Sequence, residues 1–437
     1  MTTLIRDAVI VNEGKRQNGS MLIDGEQIAA ILPAGTALPE ADRVIDAQGA
    51  LLLPGIIDDH VHLREPGLTH KADTAGESRA ALAGGVTGLM DMPNVVPQTT
   101  TNALWAERMA IGARECRTNY AYYLGATNDN IEEIKAVDRR RVPAIKLFMG
   151  SSTGNMLVDD EQALRQIFSQ SPLPIMAHCE DTGRINQRMK EAQAQWGDDP
   201  AVETHTWIRD AEACYQSAAL AARLAHETGA RLHIAHLSTE RELELVGGNI
   251  TAEACVGHLV FCDEDYATLD TRIKVNPAIK SRKDRDALRQ ALKDGRITLV
   301  ATDHAPHLLS DKHGGARTAA SGMPMVQFSL VSMLNLVDEG FISIERLVEL
   351  MCHAPASLYN IEKRGFLRPG YQADITLVER TPWTLQQKDV LSKCGWSPLE
   401  GRSFSHRVAM TFVNGRLAYD HGTIHDEVRG QALTFNR

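Results

Sequence analysis

A chain of 437 residues with 46 Lys and Arg against 56 Asp and Glu carries a formal net charge of −10 and a pI near 5.9. That balance argues against nucleic acid and membrane surfaces as partners, since both select basic patches, and no run of about 18 apolar residues offers a membrane span. The seven cysteines form no CxxC pair and the opening "MTTLIRDAVIVNEGK" lacks a basic region followed by a long apolar core, so reduced thiols and a cytoplasmic location are expected.

Residues 1 to about 50 hold short β-type runs, "LIRDAVIVN", "GSMLIDGEQIAAIL" and "DRVIDAQG", broken by Gly and Asn turn signals. From residue 51 the pattern changes. The apolar run "ALLLPGII" leads into "DDHVHLREPG", and alternation along a strand would put His60, His62 and Arg64 on one face, with Val61 and Leu63 on the other. Further candidate strands follow in order: "GLMDMP", "NYAYYLG", "PAIKLFMG", "LPIMAHCE", "ARLHIAHLS", "NITAEAC" and "ITLVATDHAPH". Between them, "TTTNALWAERMAIGARE", "EACYQSAALAARLAHETGA" and "SRKDRDALRQALKDG" have helical apolar spacing. Eight alternating units predict a closed parallel barrel over residues 51–365. A doubly wound open sheet is the alternative, but no GxGxxG follows the first strand.

Residues 366–437 return to the β pattern of the N-terminus, with "ADITLVE", "RVAMTFVNGRLAYD" and a hairpin signal at Asn414 and Gly415. Neither terminal segment can cover its own sheet faces. The two together predict one small β-sandwich domain beside the barrel. The fold class is therefore α/β, a (β/α)8 TIM-type barrel with a β domain built by both termini.

In such a barrel the site lies where the strands run out, and the unusual polar residues fall there. His60 and His62 end the first strand, Asn94 follows the second, Lys146 interrupts the fourth, His178 ends the fifth, His236 the sixth and Asp303 the eighth. Four imidazoles and a carboxylate on one rim are poorly satisfied without a cation, and N/O donors suit zinc. Lys146 either packs its stem and sends its charge to solvent, or is a desolvated neutral amine able to take up carbon dioxide as a carbamate, an anionic bridge for two metals. Asp303 can ligate a metal and also exchange a proton with the water beside it; a ligand with no proton-transfer duty is the alternative. Arg64 calls for an anionic substrate group, a carboxylate held by its planar fork, or else a structural salt bridge with Glu65 or a barrel acid. Asn94, Asn276 and His307 sit on comparable rim loops and could add hydrogen bonds, although Asn beside Pro commonly just makes a turn. The rim loop "LLSDKHGGARTAASG", residues 308 to 322, reads as a lid with Gly hinges or as a plain exposed loop.

The motifs "PGIIDDHVHLREPG", "MPN", "IKLFMG", "AHCE", "AHLST" and "ATDHAPH", in this order, resemble the amidohydrolase superfamily. The C-terminal "GFLRPGYQADITLVE" and "SPLEGRSFSHRVAMTFVNGRLAYD" resemble its returning β domain. Arg64 directly after the HxH makes the chain most similar to the dihydroorotases of the longer, bacterial type. The resemblance implies zinc-dependent, reversible cyclisation of N-carbamoyl-L-aspartate to L-dihydroorotate in pyrimidine biosynthesis. By matching motifs it implies that His60, His62 and Asp303 hold one zinc, that His178 and His236 hold the other, and that Lys146 bridges them as N6-carboxylysine. Asp303 is then the catalytic proton carrier, while His62, Arg64, Asn94, Asn276 and His307 bind the substrate. A homodimer, and an aspartate transcarbamoylase as partner, are also implied. Two departures stand out: Gly257 replaces one member of a family His-His pair, leaving His258, and some long-type members bridge their metals with a loop aspartate instead of lysine. Hydantoinases and allantoinases, which usually lack an Arg at position 64, and inactive partner subunits of the transcarbamoylase are the competing readings.

Overall fold

Eight parallel strands form the centre of the computed structural model, which describes residues 1–150 and 156–437. They are β1 (Ile56–Val61), β2 (Val86–Asp91), β3 (Asn119–Tyr122), β4 (Ile145–Met149), β5 (Ile175–Cys179), β6 (Leu232–Ile234), β7 (Ile250–Cys255) and β8 (Leu299–Ala301). Nearly every residue in them is buried, which is why they read as continuous apolar runs instead of alternating ones. β1, β2 and β3 pair in parallel. Leu124–Gly125, just past β3, pairs β4, and β4 to β8 continue in sequence order. His62 N–H donates to the His304 carbonyl at 2.8 Å and closes the ring between β8 and β1.

The intervening helices start and stop where their caps dictate. Ala211–Thr228 begins on Asp210, whose carboxylate accepts from Ala213 N–H, and ends at Gly229 with φ +74°. Arg282–Asp294 begins on Ser281 and ends at Gly295 with φ +87°. A cap of this kind contributes about 1 kcal/mol, and a left-handed C-terminal residue favours glycine.

The first strand departs from simple alternation. Its pairing with β2 shifts between Asp58 and Val61, and the strand stops at Val61, before His62 and Arg64. Arg64 has φ +69°, and His236 and Asp303, at +36° and +48°, also lie past the ends of β6 and β8. These residues are aimed by loop geometry beyond the strand, not by the pleat.

The terminal segments share one nine-stranded mixed sheet. Leu51–Pro54 is its joint: it pairs in parallel with Thr2–Asn12 (Val9 opposite Leu51) and antiparallel with Ile375–Glu379 (Leu377 opposite Leu52). Ile5, Ile10, Met21, Leu52, Ile375 and Phe412 belong to its separate core. The β domain thus takes the chain as far as Pro54, beyond the expected end at residue 50. Gly55 makes the crossing to the barrel, where a Cβ would stand 2.1 Å from Thr87 Oγ1. At the other terminus, the chain leaves the sheet after Ile424. Ala432 bridges to Tyr120 and Phe435 to Ile361, and Leu433 and Phe435 pack with Ile57, Tyr123 and Tyr359. The last residues therefore complete the barrel's interior packing rather than the β domain.

Candidate active site

A cavity of about 710 Å³ opens at the C-terminal ends of the strands, and all ten residues singled out from the sequence line it: His60, His62, Arg64, Asn94, Lys146, His178, His236, Asn276, Asp303 and His307. Three of the four histidines at the strand ends, His60, His62 and His178 but not His236, have one ring nitrogen engaged by a side-chain oxygen. His60 Nδ1 lies 2.5 Å from Glu253 Oε1, His62 Nδ1 2.8 Å from Asn94 Oδ1, and His178 Nε2 2.9 Å from Glu180 Oε2. An imidazole that donates through one nitrogen presents a lone pair at the other, the arrangement of a metal-ligating histidine. The opposite nitrogens converge: His60 Nε2 and His62 Nε2 lie 3.4 and 3.0 Å from Asp303 Oδ1, and His178 Nδ1 is 2.9 Å from His236 Nε2.

Burial controls the charge states here. It pushes the His62 imidazole down to about 4, past the opposing pull of its Asp303 hydrogen bond, and it lowers His178 and His236 as well. For Asp303 burial acts against the carboxylate, but the neighbouring His60 and the His62 hydrogen bond outweigh it and hold the group at about 2. Neutral imidazoles beside an ionised carboxylate are a ligand set for a divalent cation.

Lys146 is fully buried, and among the described residues its Nζ has no hydrogen-bond partner. The Phe148 ring lies 5.1 Å from Nζ to centroid. Desolvation lowers its pKa, partly offset by Glu253 and Asp303. The stem does not carry the charge to solvent, so that alternative reading of the lysine is set aside. An unpaired ammonium costs several kcal/mol in such a place, whereas a neutral amine, or its carbamate beside cations, does not leave that charge unpaired. The cluster of His60, His62 and Asp303 fits a divalent metal ion.

The opposite wall is cationic. Arg64 Nε donates to the Pro306 carbonyl at 3.1 Å and Nη2 lies 3.0 Å from His307 Nε2. Lys71 Nζ stands 3.1 Å from the other His307 nitrogen. Burial, with Arg64 and Lys71 beside it, keeps His307 neutral. A neutral imidazole can accept from only one of two cations, so this wall retains capacity for an anion. Arg64 makes no ion pair with Glu65, whose carboxylate instead accepts from Thr74 N–H at 3.1 Å. Asn276 is held at 3.1 Å from His205 Nε2.

Gly257 has a packing reason: a Cβ there would come within 2.1 Å of the Met323 methyl. His258 hydrogen-bonds the Pro277 carbonyl at 3.0 Å. The rim loop 308–322 is tethered. Buried Lys312 donates to the carbonyls of Lys274, Ala320 and Gly322 at 2.7 to 3.0 Å, and Asp199 accepts from the N–H groups of Gly315, Arg317 and Thr318.

Three contributors are absent from the sequence reading, Glu180, Glu253 and Lys71. Glu253 had a signal, for it interrupts the apolar strand "ITAEAC" just as Lys146 interrupts its own. Lys71 lies in the loop after "REPG", and no periodicity marks it.

Residues 51–418 match the model of the Amidohydrolase family. Over its length the chain is 33% identical to a dihydroorotase of Lactobacillus johnsonii, covering 97% of this chain and 100% of that protein. It is 33% identical to a dihydroorotase of Halobacterium salinarum, with coverages of 96% and 97%. Among solved structures, the L-hydantoinase (dihydropyrimidinase) of Arthrobacter aurescens superposes with a TM-score of 0.93 at 26% identity over 99% of each chain. The dihydropyrimidinase of Brevibacillus agri shares the fold with a TM-score of 0.90 at 24% identity over the whole of both chains.

Proposed function

The chain belongs to the amidohydrolase family, and from that premise we propose that it is a dihydroorotase, cyclising N-carbamoyl-L-aspartate reversibly to L-dihydroorotate in the synthesis of UMP. It is a hydrolase acting on cyclic amides. The observation that carries the finer reading is the buried Arg64 guanidinium beside neutral His307 in the wall of the cavity that holds the histidine cluster. A substrate carboxylate matches that fork in charge and shape.

In this reading His60, His62 and Asp303 would hold one zinc and His178 and His236 a second. Lys146 would serve both as N6-carboxylysine, formed when its neutral amine adds to carbon dioxide and releases one proton. Bound zinc would supply Lewis acidity toward an amide carbonyl and a nucleophilic water at neutral pH. The remaining work belongs to the chain. Arg64 and His307 grip the carboxylate, with Asn94 and Asn276 against the ring. In the hydrolytic direction water adds to the ring amide carbonyl, Asp303 accepts its proton, the C–N bond breaks, and Asp303 returns the proton to the leaving nitrogen. The product carries a new carboxylate where the ring was closed.

The likeness to the hydantoinase structure favours a second reading, a hydantoin or dihydropyrimidine substrate in the same cavity. Assaying the purified protein with dihydroorotate, hydantoin, dihydrouracil and allantoin separates the two; turnover of dihydroorotate alone is expected, and turnover of only the uncharged rings overturns the proposal. No turnover of any of them would favour an inactive partner subunit. The reading also includes a cytoplasmic homodimer and an association with aspartate transcarbamoylase, both open to mass measurement in solution. Among the described residues no helix is long and apolar enough to cross a membrane.

A further inference from the structure

Deeper in the barrel, below the cavity, three ionisable side chains from three strands meet: Asp59 of β1, His233 of β6 and Glu253 of β7. All three are buried. One ligand atom from each lies within 4.8 Å of the others, and among the described residues Asp59 Oδ1, His233 Nε2 and Glu253 Oε2 have no hydrogen-bond partner. Their other atoms are used. Asp59 Oδ2 accepts from Tyr359 OH at 2.8 Å, and Glu253 Oε1 accepts from His60 and from His236 N–H.

Thr251 Oγ1 lies 2.8 Å from His233 Nδ1 and 3.2 Å from the Leu232 carbonyl, which fixes the ring so that Nε2 faces the two carboxylates. That nitrogen lies 3.5 Å from Glu253 Oε2 and 3.8 Å from Asp59 Oδ2. The separations are long for hydrogen bonds but match ligands on one ion, since two donors at about 2.1 Å from a tetrahedral centre stand roughly 3.4 Å apart.

We propose that Asp59, His233 and Glu253 form an interior cation site, distinct from the cluster in the cavity, that takes one divalent transition ion of the zinc class. Two carboxylates balance its charge, and the Thr251 hydroxyl holds the imidazole as second partners of metal-bound histidines do. A separate cavity of about 370 Å³ at the end where β6 begins is lined by His233, Thr251 and Tyr359. Glu253 is shared, with Oε2 toward the ion and Oε1 on His60, so the interior ion positions a residue of the cavity without touching substrate.

The test is metal analysis of the full-length protein purified in zinc-containing buffer without chelator, together with crystals measured above and below the zinc absorption edge. An anomalous peak between the three side chains is expected, with one equivalent of zinc lost in both His233→Gln and Asp59→Asn and retained in Lys146→Ala. No peak at that point, or zinc content in the two interior variants equal to wild type, overturns the proposal. Should either variant fail to fold, the wild-type anomalous map decides alone. A protein with the interior peak but no metal in the cavity would contradict the proposed function and leave this inference standing.

Discussion

Glu253 Oε1 lies 2.5 Å from His60 Nδ1, although 193 residues separate the two in the chain. The bond fixes the His60 ring so that Nε2 faces Asp303. Outer partners of this kind typically hold about 10- to 100-fold in metal affinity. Glu253→Gln, which keeps the shape and removes the charge, is therefore expected to weaken zinc binding in competition with a chelator by about that factor; affinity within twofold of wild type would remove the orienting role.

Arg64 and Lys71 should separate substrates rather than reaction rates in general. Hydrogen bonds to charged groups contribute about 1.5–3 kcal/mol, so Arg64→Met is expected to lower kcat/KM for dihydroorotate about 10- to 100-fold. Hydantoin, which has no carboxylate, should be far less affected. Lys71 touches His307 from the solvent side, and Lys71→Ala should raise KM for dihydroorotate with a smaller change in kcat. Equal losses for both substrates would refute carboxylate recognition by this wall.

Lys146→Ala should abolish turnover and strip metal from the cavity, with partial rescue by short carboxylic acids that replace the carbamate. Asp303→Asn should also abolish turnover while much of the metal stays bound, because a proton carrier is lost but the imidazoles remain. Unchanged metal content and rate in the lysine variant would eliminate the bridge. Wild-type activity in the aspartate variant would eliminate the proton carrier.

The rim loop offers a pH test away from the metal cluster. Partial burial works against the Asp199 carboxylate, but hydrogen bonds from Thr318, Gly315 and Arg317 outweigh it and hold the group at about 2 against an ordinary 3.8. A depressed acid stabilises the fold fully above its unfolded value and loses that contribution as pH falls through the folded one. Amide exchange in residues 314–319 should therefore be constant relative to the rest of the protein above about pH 4 and lose protection between about pH 4 and 2. Asp199→Asn should remove that pH dependence; a loop whose relative protection does not change over this range, or a variant that behaves as wild type, would refute the clamp.

Much of this protein was legible from local pattern. Buried strands declare themselves as apolar runs, helices as 3.6-residue periodicity with caps, and His60, His62, Lys146, His178, His236 and Asp303 stood out because polar residues at the ends of such runs are costly without a partner. The chain could not name those partners. Glu253 interrupts its strand as visibly as Lys146, yet only closure of the barrel puts it against His60 and His233. Arg64 reaches the cavity through a positive φ beyond the end of β1, where strand alternation no longer applies, and Lys71 is brought to His307 by a loop. Gly55 marks a domain crossing that the run "ALLLPGII" conceals, because the strands on either side of it are equally apolar. The sequence determined the elements and the chemical character of the rim, since both follow from interactions a few residues apart. The tertiary structure alone decided which groups meet, because pairing across the barrel depends on the register and closure of strands that no local periodicity encodes.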